Sequence, residues 1–137
     1  VNTICCTAIN GASSDVGFWF LVNADRTISF AIMYNNTPLN VVSFTSTNTY
    51  PNDTLGYHQI AVTYDQRFAT GNAKIHIDGS YLESGNKSGN TPSTAAQTGA
   101  LLVGQFTGNA NVLSGVISEL FFYKRALTGM DIMNHAR

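Results

Sequence analysis

The stretch YHQIAVTYDQRFATGNAKIHIDGSYL, residues 57–82, decides how the fold is read. Ile60, Val62 and Tyr64 alternate with Ala61 and Thr63, and Ile75 and Ile77 alternate with Lys74 and His76. A period of two sends one set of side chains into a core and the other toward water, which is the pattern of half-buried strands. Asp78-Gly79 suits a type I′ turn, whose two central residues both need positive φ. The stretch is therefore expected to form two strands joined by a loop and closed by a tight turn.

The same period runs through the rest of the chain. VGFWFLVN (16–23) leads through the polar turn Ala24-Asp25-Arg26-Thr27 into ISFAIMY, where Ile28, Phe30, Ile32 and Tyr34 share a face, so a hairpin is expected. Asn35 to Pro38 supplies the next turn, LNVVSFTS (39–46) the next strand, and NTYPNDTLG (48–56) a long loop of strand-breaking residues. Residues 84–99, SGNKSGNTPSTAAQTG, read as a surface loop, because the strand-like ALLVGQF follows at once. GVISELFFYKR (115–125) is expected as a strand with apolar residues on both faces. After it the period changes: Thr128 and Asp131 match a capping box and Leu127 and Ile132 a hydrophobic staple, predicting one short helix packed through Ile132 and Met133. The expectation is an all-β antiparallel sandwich with a short C-terminal helix.

Composition narrows the function. The 137 residues suit one domain, 1–137, with a real core. Only 11% are charged, against roughly 25% in an ordinary soluble domain, so Asn, Thr, Ser and Gly must carry the surface. A net charge of -1 gives no reason to expect nucleic acid or an anionic membrane as partner. No apolar run reaches the ~20 residues of a bilayer span, and no membrane insertion is expected. The adjacent Cys5 and Cys6 have Cα atoms only about 3.8 Å apart, too close for an ordinary disulfide. In a strand one thiol should point inward as a small hydrophobe and the other outward, exposed. Two cysteines and the scattered His58, His76 and His135 offer no close-spaced metal ligands, so no metal is assigned.

The succession YHQIAVTYD, KIHIDGSYLESG, ALLVGQF and LSGVISELFFYKRALTGMDI resembles the second half of a laminin-G-like, concanavalin A-like jelly-roll domain, a group that also includes pentraxin-like and legume-lectin-like folds. The resemblance covers residues 57–135 by motif and 16–46 by pattern, with Tyr57 where a Trp is commoner in the family. It implies a jelly-roll sandwich, and calcium is common in the family, with Asp53 or Asp65 as the oxygen donors available here. It also implies further strands before the hairpin, whereas only VNTICCTAI (1–9) precedes it. The N-terminal segment is thus expected to be covered, or to pair across a chain boundary, with the chain part of a larger polypeptide or oligomer.

The fold does not fix the function. Glycoside hydrolysis needs two facing carboxyl groups, and Glu83 and Glu119 are the only glutamates; no catalytic residue is assigned. Asp65 and Asp78 read as turn formers, and His58 and His76 as packed or hydrogen-bonded side chains. Sugar binding needs aromatic faces beside amide and carboxylate groups. The candidates for this are Trp19, Tyr34, Tyr50, Asn52, Asp53 and Tyr81. The expected role is a non-enzymatic extracellular or surface binding module that recognises a glycan. The alternative is a structural surface protein, such as a virion decoration, that works through neighbouring subunits. Sequons at Asn35, Asn52 and Asn86 would matter in a secreted eukaryotic chain.

Overall fold

The computed structural model describes residues 2–7, 17–33, 41–52, 56–65, 67–68, 72–85, 100–106 and 111–136. Along them lie β1 (Asn2–Thr7), β2 (Gly17–Val22), β3 (Ile28–Met33), β4 (Val41–Thr45), β5 (Ile60–Tyr64), β6 (Ala73–Ile77), β7 (Ser80–Gly85), β8 (Leu101–Val103) and α1 (Gly129–His135). They form two antiparallel sheets, a five-stranded one in the order β4-β3-β2-β1-β8 and a three-stranded one in the order β5-β6-β7.

Register turns the period-two pattern into a core. Phe20 pairs with Phe30 and Phe30 with Phe44, so these rings share one face of the larger sheet. Ile60 pairs with Ile77, Val62 with Ile75 and Tyr64 with Ala73 on the smaller one. The two faces meet in a buried cluster of Ile28, Phe30, Phe44, Ala73, Ile75 and Ile77, with Phe20, Ile32, Tyr50 and Leu82 packed around it. Each buried Ile or Phe of the cluster contributes about 1.5–3 kcal/mol. Phe30 and Phe44 meet edge to face, centroids 6.1 Å apart. On β7, a Cβ at Gly85 would fall 2.5 Å from two ring carbons of Phe44. A glycine in a strand marks such a close approach.

The hairpin after β6 has Asp78 at φ 49° and Gly79 at φ 76°, the I′ geometry read from Asp-Gly. A Cβ at Gly79 would lie 3.0 Å from Met133 Cα, so α1 rests directly on the turn. The capping box is present: Thr128 Oγ1 accepts from Asp131 N, and Asp131 Oδ2 accepts from Thr128 N at 2.9 Å. Ile132 is fully buried and Met133, 36% exposed, lies over Gly79, so both residues of the expected pair pack the helix on the sandwich.

Two expectations are corrected. Residues 115–125 form no strand among the described residues. The consecutive Phe121-Phe122-Tyr123 breaks the alternation, and side chains anchor the segment instead: Phe122 lies on Phe18 with centroids 5.7 Å apart, while Phe121 and Tyr123 both meet His135. Neither thiol is exposed. The register slips between Thr3 and Cys5, which turns Cys5 inward beside Phe20, and Cys6 outward beside Trp19. Cys6 is nevertheless shaded between Trp19 and Leu102 of the flanking strands, with its Sγ 3.5 Å from Gln105 O. The N-terminal segment is covered rather than open, since β1 is paired with β2 on one side and β8 on the other.

Burial, with the neighbouring Cys6 second, pushes the Cys5 thiol up to about 12. An aromatic disulfide reagent at neutral pH should therefore react with neither cysteine in the folded chain and with both in denaturant. In the core, Gly85→Ala should destabilise by about 1–3 kcal/mol in urea unfolding, because the added methyl meets a ring that Phe30 already confines.

Candidate functional site

The six residues expected to bind a ligand do not converge. Trp19 stands opposite Ala31 and Cys6, on the face of the larger sheet turned away from the core. That outer face also carries a hydroxyl and amide chain, in which Ser29 Oγ and Thr45 Oγ1 are 2.7 Å apart and Asn23 Nδ2 donates to Ser29 Oγ at 2.8 Å. Tyr81 lies on the outer face of the smaller sheet, its hydroxyl donating to Ser84 Oγ at 2.8 Å and its ring edge-on to His76. Tyr50 packs against the core, and Asn52 is exposed two residues further on. Tyr34 and Asp53 lie outside the described residues.

Tyr50 lines a cleft at the seam where the two sheets part. A cleft of about 190 Å³ opens there, lined by Asn2, Val22, Tyr50, His58, Ile60 and the backbone run from Leu113 to Ile117. Its walls are mostly aliphatic, with polar groups from Asn2, Tyr50, His58 and Ser114. Tyr50 is placed from two sides: its N–H donates to Arg26 O at 3.1 Å, and Arg26 Nη1 reaches its carbonyl at 3.5 Å. Arg26 can do so because it takes φ 66° in the β2–β3 turn.

The imidazole is fixed as firmly. His58 Nδ1 lies 2.8 Å from Asp78 Oδ2, while Asp78 Oδ1 accepts from Gln59 N at 2.9 Å. A carboxylate only accepts, so Nδ1 carries the proton in this bond. Asp78 is thus both the turn former expected of Asp-Gly and the group that orients His58. Sequence reading took the two residues separately; the hairpin brings them together across 20 positions. Asn2 and Ser114 carried no signal of their own, being common residues that only the fold makes neighbours, with Ser114 N 3.4 Å from Asn2 Oδ1.

None of the described residues lining the cleft is acidic, whereas glycoside hydrolysis needs a carboxyl pair. Of the calcium candidates, Asp65 gives both oxygens to Arg67, with Nη2 to Oδ2 at 2.6 Å, and these bonds first of all hold its carboxyl down at about 2. Among the described residues no cluster of His, Cys, Asp and Glu could hold a metal ion.

The chain folds as a two-sheet antiparallel sandwich, one of the recurrent all-β architectures. The chain belongs to the family described as the concanavalin A-like lectin/glucanases superfamily, of laminin-G type, which matches residues 3–133. No curated protein matches the chain. Among solved structures it is similar to an S-layer domain-containing protein from Clostridium thermocellum (residues 221–444), at 16% identity and a TM-score of 0.46. That likeness covers 98% of this chain, and the chain spans 62% of the length of that structure. Among the described residues no helix is long and apolar enough to cross a membrane.

Away from the seam, Glu83 ties the opposite edge of the sandwich. Its carboxylate accepts from Thr47 N at 2.9 Å, Asn48 N at 3.0 Å, Asn48 Nδ2 at 3.1 Å and the Thr47 hydroxyl, joining β7 to the chain leaving β4. Burial works to raise its pKa, but the hydrogen bonds from Asn48 and Thr47 together hold it below the ordinary 4.5. A carboxyl lowered on folding adds stability above the unfolded value and loses it as pH falls through the folded one. Glu83→Gln should therefore cost about 1–2 kcal/mol at pH 7. In thermal melts at successive pH values, its deficit against wild type should shrink below pH 4.5.

Proposed function

We propose that this domain is a non-enzymatic surface or extracellular binding module that recognises a glycan, taking a single sugar ring in the seam cleft. The observation that carries the reading is the pairing of a positioned aromatic ring, Tyr50, with an imidazole locked by Asp78 in one mostly apolar recess. A pyranose presents a C–H face and a rim of hydroxyls, and needs an apolar surface beside fixed donors and acceptors. Tyr50, Ile60 and Val22 offer the first; the Asn2 amide and the Ser114 hydroxyl, beside the His58 ring, offer the second. At about 190 Å³ the cleft is smaller than the ~300 Å³ at which drug-sized pockets begin, which favours a terminal residue over an internal stretch of polysaccharide. The low charge of the chain favours a neutral sugar.

A second reading, assembly with neighbouring subunits on a cell or virion surface, is favoured by a different observation: the aromatic side chains Phe121, Phe122 and Tyr123 stand exposed.

Saturation-transfer NMR and calorimetry against a panel of neutral monosaccharides test the first reading. At least one sugar should bind saturably, and Tyr50→Ala or His58→Ala should weaken it about tenfold, or about 1.4 kcal/mol, while Trp19→Ala and Tyr81→Ala, on the outer faces, leave it unchanged. Binding by no member of the panel, or binding indifferent to Tyr50 and His58 in folded variants, would overturn it.

A further inference from the structure

The segment that departs from its expected strand carries an exposed aromatic strip that neither the core nor the cleft uses. From Glu119 to Tyr123 its side chains alternate. Leu120 is half-buried and Phe122 turns onto Phe18, so Glu119, Phe121 and Tyr123 stand together on the other side. Phe121 is 60% exposed and Tyr123 45%. A third ring confirms that these two share a side, because both meet His135 at the end of α1, with centroids 5.8 and 5.6 Å from it.

With Phe121 and Tyr123 6.5 Å apart, the three centroids close a triangle, and the ring planes are turned 35°, 37° and 53° from one another. That is neither a stack nor a set of edge-to-face pairs; it is the pitch of a shallow cup. The cup is held, not loose. His135 Nε2 lies 2.9 Å from the Tyr123 hydroxyl, and Arg125 Nη1 donates to Asp131 Oδ2 at 3.0 Å, which fixes the end of the segment to the start of α1. The face of an aromatic ring is its negative side. A charge resting about 4 Å above the centre of this triangle is roughly 5 Å from each centroid, inside the ~6 Å reach of a cation–π contact.

We propose that Phe121, Tyr123 and His135 form a binding site for an organic ammonium ion carrying a trimethylammonium group, with Glu119 as its countercharge. The occupant follows from charge and from what the cup lacks. A small inorganic cation is bound through oxygen ligands that replace its water, and three rings supply none. A methylated ammonium carries its charge behind methyl groups, so the same rings bury apolar surface and attract the charge. Glu119 is exposed and, among the described residues, makes no ion pair, so its carboxylate complements a cation on this side. The positive charge of Arg125, two residues beyond Tyr123, is already neutralised by Asp131. None of the four residues lines the seam cleft, so this inference is independent of sugar binding.

An NMR titration with choline is the test, set against neohexyl alcohol, which has the same shape with carbon in place of the charged nitrogen. Choline should bind saturably in the millimolar range and move the ring signals of Phe121, Tyr123 and His135, and the alcohol should bind about tenfold more weakly. Phe121→Leu and Tyr123→Leu keep apolar bulk but remove a ring face, so each should weaken choline about threefold and leave the alcohol unchanged. Tyr123→Phe should retain binding, and Glu119→Gln should weaken choline about twofold. Thermal melts establish that each variant is folded. Cosedimentation with phosphatidylcholine vesicles separates the sources of the group: retention assigns a lipid headgroup, and binding of free choline alone assigns a soluble ion, each in support of the site. No saturable shift with choline, equal binding of the alcohol, or choline binding indifferent to both leucine variants would overturn the proposal.

Discussion

Phe44 reaching across the core to Gly85 sets the distance between the sheets, and everything else is arranged around that contact. The ring can lie there only because β7 presents no side chain at that position. Beside it, Glu83 binds the same strand to Thr47 and Asn48. One edge of the sandwich is therefore closed twice, by packing and by a carboxylate saturated with donors. Phe30, Ile75 and Ile28 continue the seal inward. What is pinned at the β4–β7 edge must be resolved at the other.

There the two layers are unequal. β7 lies against the end of β4, and β5 faces β2 at the seam, where Ile60 and Val22 share the cleft. Among the described residues, five strands set against three leave β1 and β8 with no strand opposite them, a width of about 10 Å at the usual strand spacing. The chain from Asn111 onward fills part of that gap. Asn111 O accepts from Thr3 N, Leu113 N donates to Gly104 O, and Phe122 covers Phe18. The cleft is the space left where the smaller sheet stops and this covering segment begins. The exposed strip is the outer side of the same segment. Both features follow from one mismatch in sheet width.

How far the sequence could show this depends on the range of the interactions involved. The two-residue period of Ile60, Val62, Ile75 and Ile77, the I′ turn at Asp78-Gly79 and the Thr128–Asp131 capping box are local, and they were legible from adjacent residues. Segment 115–125 misled because strand propensity says nothing about whether a partner edge exists. The thiols misled because alternation predicts which way a side chain points, not how large its cross-strand neighbours are; Trp19 and Leu102 bury Cys6 on the outward side. The candidate site was the least legible part. Tyr50, Trp19 and Tyr81 were all chosen by residue type, yet Tyr50 lines the cleft while Trp19 and Tyr81 lie on opposite outer faces. His58 and Asp78 were each assigned a correct local role without any sign that they would meet.

The coupling between that pair and the helix gives the seam its rigidity. Asp78 sits at the turn whose next residue, Gly79, is packed under Met133. The same turn receives Gln59 through a two-way link, Asp78 N to Gln59 O and Gln59 N to Asp78 Oδ1, each at 2.9 Å. α1 therefore braces the hairpin that holds His58. Its far end, through His135, braces Tyr123 and the covering segment whose beginning forms the cleft's other wall. A seven-residue helix contributes little stability by itself. Its physical role is as a strut, capped at one end by Thr128 and Asp131, that joins the two walls of the recess from behind. A recess with walls so joined is preorganised, which is the condition the proposed sugar site sets for a small, mostly apolar cleft with only a few hydrogen-bonding groups.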